Sequence, residues 1–446
     1  MQKRICVALI LFAAGSAWAQ IADPNASTAI TVEDRMLVPA PVSGDNYSVA
    51  LASEEQSNYL HYGITVGAAY SDNVLGGTAG HAVSDMSYSA WPTIGLDETT
   101  SRLHWGLTYA PGFTVYQRTS ERNEADQNAL LSFQYRLSPH VTFNARDTFQ
   151  KSSSVFNQPD LASSAGVSGG TQVPNFSVIA PIANRLSNIG NLGITYQFGA
   201  NDMIGAGGGF TNLHYSDTSQ VSGLSDDSSQ TATAFYSHRI AKRHYVGAAY
   251  QYQRLLSYPE GLENNTQTNS ALLFYTVYPA TRFSLSVFGG PQYSETTEPE
   301  LTTSLTGESF CKWTPAAGAS MSWEGRRNSA VFSYAHVISG GSGLIGAVRL
   351  DQASLSFRSQ ITRFLTGSIA GFYANNNMLS PSLQFDNGHT FSGTVALQRT
   401  LTEHITGQIG YSRLHQTYNL PIFATTPDTN REFISITYDF ARPLGR

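Results

Sequence analysis

The chain has 446 residues, 41% of them hydrophobic, 11% aromatic and only 13% charged, with a formal net charge of −6 at pH 7. A soluble domain is nearer a quarter charged, a disordered chain is charge-rich and aromatic-poor, and a helical bundle draws on Glu, Lys, Leu and Ala, so none of these classes fits. The 26 basic residues include four lysines (Lys3, Lys151, Lys242 and Lys312) and form no basic patch, which argues against nucleic acid as a partner.

The first stretch reads as a secretory signal peptide over residues 1–19. Lys3 and Arg4 form a positive start, Ile5 to Ala14 an apolar core, and Ala17-Trp18-Ala19 a small-x-small cleavage site before Gln20. Cys6 leaves with the signal, so the exported chain keeps Cys311 alone and forms no internal disulfide. Residues 20–58 are polar and irregular, with Pro24, Pro39, Pro41 and Glu54-Glu55, and read as a periplasmic lead-in.

From Tyr59 to Phe440 short segments alternate apolar and polar at period two, the mark of strands with two different faces. Leu103, Trp105, Leu107 and Tyr109 oppose His104, Gly106 and Thr108. Ala129, Leu131, Phe133 and Tyr135 oppose Ser132, Gln134 and Arg136. Leu192, Ile194, Tyr196 and Phe198 oppose Asn191, Gly193, Thr195 and Gln197. The pattern repeats at Ala353–Arg358 and Phe391–Gln398, and ends with Ile434, Ile436, Tyr438 and Phe440 against Ser435, Thr437 and Asp439.

The connections alternate in length. Eight are compact, among them Leu137-Ser138-Pro139-His140, Gly199-Ala200-Asn201-Asp202 and Thr402-Glu403-His404. Nine longer polar loops lie between them, such as Gln117 to Asp126, Asp217 to Ser229, Ser294 to Glu308 and Asn419 to Asn430. These join about 18 strands, within a range of 16 to 20, of roughly ten residues each, an all-β transmembrane antiparallel up-and-down barrel, since lipid leaves no sheet edge satisfied unless the sheet closes. Only every second strand residue then needs to be apolar, which accounts for the low charge and the abundance of Ser, Thr, Asn, Gln and Tyr. Tyr135, Phe198, Tyr278, Trp323 and Tyr438 each precede a short turn and predict an aromatic girdle at one membrane interface. Residues 441–446 read as a periplasmic tail.

The closing Phe433-Ile434-Ser435-Ile436-Thr437-Tyr438-Asp439-Phe440 is similar to the terminal signal read by the barrel-assembly machinery, although Ala441 to Arg446 follow it. The first strand ends in Tyr70-Ser71-Asp72-Asn73-Val74. In this ending and in architecture from Tyr59 onward, the chain resembles the porin-like outer-membrane β-barrel proteins associated with exopolysaccharide export in some Gram-negative bacteria. That resemblance implies a bacterial outer-membrane location and a role in moving or coupling polysaccharide across that membrane.

Candidate chemistry is sparse. A barrel phospholipase needs a Ser activated by a His, and none of His104, His238, His244, His336, His404 and His415 sits in a local pattern that supplies one. His81 and Asp85 lie close in sequence as a protease pair would, with no second pair beside them. Gly205-Ala206-Gly207-Gly208-Gly209 continues as strand instead of opening a helix, so it is no phosphate loop. No catalytic residue, cofactor or metal site is expected, and the chain reads as not an enzyme. Arg136, Arg146 and Arg358 fall on polar alternates, and with His104 they are the candidate lumen-facing selectivity residues. In the longest connection, Val173, Phe176 and Ile179 form an apolar segment suited to fold inward as a constriction. The expected function is a porin-like channel for hydrophilic solutes of the saccharide or exopolysaccharide-related class. The competing reading is a closed structural or surface-interaction barrel, a receptor or adhesin without a conducting pore. The partners expected are outer-membrane lipid, hydrophilic solutes or polysaccharide, the assembly machinery, and a second copy of the chain.

Overall fold

Alternating segments can bury their backbone polar groups in a membrane only by pairing on both edges, and the chain does so. The computed structural model describes residues 58–76, 82–152, 184–216, 225–258, 263–297, 309–343, 346–379, 388–417 and 428–443. The strands are β1 (Tyr59–Ser71), β2 (Asp85–Thr99), β3 (Leu103–Tyr116), β4 (Glu124–Arg136), β5 (Val141–Ser152) and β6 (Arg185–Gln197). Next come β7 (Asp202–Tyr215), β8 (Asp226–Ala241), β9 (His244–Tyr258), β10 (Asn264–Ala280), β11 (Phe283–Thr297) and β12 (Ser309–Glu324). Last are β13 (Asn328–Gly340), β14 (Ala347–Gln360), β15 (Leu365–Met378), β16 (Gly388–Thr400), β17 (Ile405–Thr417) and β18 (Asp428–Pro443). Each pairs antiparallel with its sequence neighbours, and β1 pairs with β18 from Tyr59–Pro443 to Ser71–Arg431, closing an 18-stranded barrel. The closing strand thus continues past Phe440, with Ala441, Arg442 and Pro443 laddered on His61, Leu60 and Tyr59.

Residues paired across antiparallel strands share a face, so the large exposed apolar side chains mark the outside. Ile64, Ile94, Leu192, Leu273, Leu355, Ile409 and Ile434, between 43% and 69% exposed, all lie on that face. On β12 the belt runs from Trp323 to Trp313. Ten residues at about 3.3 Å per residue, tilted by about 40°, make a band roughly 25 Å tall. Phe198, Trp323 and Tyr438 face outward near the short turns as an interfacial girdle should. Tyr278 does not. It falls on the same alternate as Phe274 and Thr276, the inner face, and packs edge-on against Tyr245 at 5.6 Å.

The strands are longer than the expected ten residues, from 12 in β5 to 17 in β10. The excess lies on the loop side, where the outer face turns polar and the wall continues beyond the lipid. There Tyr250 donates to Asn269 at 2.6 Å and Arg254 to Asn265 at 3.4 Å, side chains that pair across strands in water. Asp217–Ser229 and Asn419–Asn430, expected as loops, therefore give their last residues to β8 and β18.

Candidate functional site

The inner wall is built from the other alternates, and hydroxyl pairs tie its strands together. Thr65 and Thr437 lie 2.9 Å apart, Thr394 and Ser412 3.0 Å, Ser333 and Ser354 2.8 Å, and Thr276 and Ser286 2.8 Å. Such short side chains satisfy each other without filling the lumen. Around the barrel the wall has two characters. On β7 to β13 most inner residues are buried and include an apolar cluster of Met203, Phe235, Leu272, Phe274, Phe288, Ala316 and Val337. On the turn side of β1 to β4 and β18 they are partly open. A groove with about 390 Å³ of space runs along Gly63, Thr65, Thr93, Gly95, Gly106, Thr108, Ser132 and Thr437, where missing or small side chains let the wall recede.

The alternation of each strand places the expected selectivity residues. Arg146 pairs with Ser132 and Asn191, Arg358 with Ser329 and Ser368, Arg136 with Thr142, and His104 with Gln134, all on the inner face. The His104 ring nitrogen lies 2.8 Å from the Thr99 hydroxyl. These residues do not form one ring. His104, Arg136 and Arg358 sit near the short-turn mouth, whereas Arg146 lies midway along β5. The same mouth carries Asp97, Asp439 and Glu324 on the inner face, so it presents both signs of charge. Toward the loop side the inner face also bears Arg185 and Arg431, which the sequence reading missed. Arg185 shares its face with Ser187 two residues on and Arg431 with Thr429 two residues before, the signal that would have found them.

One described connection turns inward, that of the β13–β14 hairpin. Past His336, β13 leaves β12 and turns inward, so that residues 341–343 and Gly346 meet β7 to β9, four to six strands round the wall. Tyr215 donates its hydroxyl to the Ser342 carbonyl at 3.0 Å, and the Gly343 N–H donates to Asp227 at 2.8 Å. The Ser225 N–H donates to the Gly343 carbonyl at 2.9 Å, and the Gly346 N–H to the Ser257 hydroxyl at 3.1 Å. Tyr215, Asp227 and Ser257 all occupy inner positions of β7, β8 and β9. Below the tip, Ile338 and Ala347 pack on Leu255, and Val348 and Leu350 on Ala374. The tip can turn this sharply because Gly343 and Gly346 take φ of 98° and 88°, the left-handed region that glycine enters at little cost. Val173, Phe176 and Ile179 lie outside the described residues, so the inward connection that is seen is a different one.

The histidines hold structure. His336 bonds Asp351 at 2.5 Å, with the Tyr334 hydroxyl donating to the same carboxylate oxygen at 3.1 Å. His238 and Tyr236 share Asp202 at 2.8 and 2.6 Å, and His214 bonds Asp226 at 2.6 Å. All lie on the outer face, at the rims of the apolar belt. Asp85 accepts from the Arg118 and Thr119 backbone and the Thr119 hydroxyl, pinning the β3–β4 connection. Among the described residues no group of three or more His, Cys, Asp or Glu is placed to hold a metal.

No protein-family description matches the sequence, and no curated protein sequence matches it. Among solved structures it is similar to the ferric citrate transporter FecA in the unliganded form, with 13% identity and a TM-score of 0.40 over 81% of this chain and 60% of that one. It is also similar to OccK2 (OpdF) of Pseudomonas aeruginosa, with 9% identity and a TM-score of 0.42 over 86% of this chain and 98% of that one. A third is OpdK of Pseudomonas aeruginosa with vanillate, with 9% identity and a TM-score of 0.40 over 86% and 99%. The chain thus spans 60% of the length of FecA.

Proposed function

We propose that the chain is an outer-membrane channel for hydrophilic solutes, with the β13–β14 hairpin as its constriction and the groove along β18 and β1 to β4 as its path. The observation that carries this reading is the contrast of faces in one closed wall. An apolar belt surrounds a lumen lined along that groove by Thr, Ser and Gly, with charge gathered at the mouth. A barrel of this width has more circumference than side chains alone can fill. Arg136, Arg358, Asp97 and Asp439 then set which ions and solutes enter, and Arg146 acts midway.

Saccharide is the solute class that suits the path. Trp91 is on the inner face, its indole lying over Gly112 of the next strand, and offers a flat apolar ring beside hydroxyl-rich walls. That combination suits a sugar, which has an apolar ring face and polar edges. It also fits the resemblance to exopolysaccharide-associated barrels. The reading is tested by bilayer conductance with added oligosaccharide. Transient blocking events are expected in the native protein and their loss in Trp91→Ala, while steady conductance without blocking in both would remove the saccharide.

One observation favours the second reading, a closed barrel that acts through its outer loops. Most inner residues of β7 to β13 are buried, with Gln292, Thr266 and Thr268 at 1% exposure or less. Absence of conductance both in the native protein and after removal of the hairpin would establish that reading.

A further inference from the structure

Seventeen of the eighteen strand junctions hold ten or more paired positions; the β12–β13 junction holds eight, half the length of β12. Its pairs run only from Glu324–Ser329 to Ala317–His336, while β12 begins at Ser309 and β13 ends at Gly340. Among the described residues, Ser309 to Ala316 of β12 are laddered to β11 alone. Pro315 has no N–H to offer either neighbour. On the other side of the gap, the Ile338 N–H donates to the Gln292 side chain of β11 at 3.1 Å. The turn of β13 into the lumen is therefore stabilised by a substitute bond, and an unladdered edge is left in the wall.

An open edge in lipid costs several kcal/mol per unpaired group, so its surroundings indicate what it is for. The gap starts inside the apolar belt, since Trp313, 69% exposed, marks the belt's upper rim and lies above Ala316. Its inner lips, Ala316 and Val337, belong to the apolar cluster of the lumen with Phe288 and Phe274. Its outer lip carries Trp313 against Tyr293 at 5.1 Å. Apolar side chains therefore flank the break on both faces of the wall, away from the polar groove, and its inner lips lie packed in one cluster with Ala316 2% and Val337 7% exposed.

We propose that the β12–β13 gap is a lateral passage through which an amphipathic molecule with an acyl chain moves between the lumen and the outer part of the membrane. The chain of such a molecule meets Phe288, Ala316 and Val337, and its polar head stays with Gln292 and the exposed Lys312 at the edge. This goes beyond the solute channel and shares with it only the insertion of the barrel in a membrane.

The test uses the full-length exported protein in phosphatidylethanolamine–phosphatidylglycerol vesicles and a long-chain fatty acid carrying a photoreactive diazirine, followed by peptide mapping. Label is expected on outward residues such as Leu273 and Leu355 and also on Phe288, Ala316 or Val337. The inner label should fall about tenfold with excess unlabelled fatty acid, the mark of a site and not of bulk lipid. Ala316→Trp and Val337→Trp narrow the gap from opposite lips. Each is expected to lower the inner label and leave the outer label unchanged, in protein that still migrates as a folded barrel on an unheated gel. Outer label without inner label in the native protein overturns the passage. So does inner label that persists in whichever tryptophan variant folds, because the fatty acid would then be entering through the aqueous lumen. Absence of outer label contradicts membrane insertion itself and with it the channel reading.

Discussion

At the residue scale Gly343 leaves no room for a side chain. A Cβ on Gly343 would stand 2.7 Å from the Tyr215 ring, on a backbone already left-handed. Gly343→Ala is therefore expected to cost on the order of 1–3 kcal/mol and to loosen the tip, raising single-channel conductance. Asp227→Ala removes the acceptor of the Gly343 N–H and should act in the same direction. Unchanged conductance in both would separate the tip from the constriction. The lumen arginines predict a change of a different kind. Arg146→Glu and Arg358→Glu reverse the sign of an inner-wall charge, so the reversal potential in a KCl gradient should move toward cation preference. Asp147, next to Arg146, must face the other way, and it stands on the outer face between Ala145 and Phe149 with Asn188 3.5 Å away. Asp147→Leu is expected to stabilise the barrel by on the order of 1 kcal/mol, read in urea unfolding from vesicles, because a carboxylate facing lipid is costly. Alternation alone separates Arg146 from Asp147. It says nothing of Asp227 and Ser257, whose hairpin partners lie 116 and 89 positions away.

At the element scale, turns were legible and strand ends were not. Ser138, Thr362 and Thr402 each close a tight turn with hydroxyl-to-backbone bonds, and such chemistry is written locally. Strands on the loop side continue past the lipid, where polar side chains pair across neighbours and a polar run looks like loop. The hairpin was hidden for a related reason. Ser339-Gly340-Gly341-Ser342-Gly343 has the composition of any exposed loop, and only the inner-wall acceptors on β7 to β9 turn it inward. Replacing residues 341–346 with an Asn-Gly turn, which favours a tight hairpin, should shorten the crossing and raise conductance. Deleting residues 173–181 tests the other apolar connection. A comparable rise there would assign that segment a share of the narrowing, and no change would leave the hairpin as the constriction.

At the scale of the whole molecule, the composition follows from closure. One face of every strand meets lipid and the other meets hydroxyls and amides, which keeps charge low without making the chain greasy. Closure joins β1 to β18 across nearly the whole described chain, so the barrel exists only when the last strand is in place. Folded protein should accordingly migrate faster than boiled protein on a gel, and a chain ending at Asn430 should lose that shift. The central claim is a water-filled path beside the inward hairpin. Purified protein in a planar bilayer tests it most directly. The account predicts discrete current steps in the native barrel and larger steps once residues 341–346 are replaced; a bilayer left silent by both, with the protein folded and inserted, would contradict it.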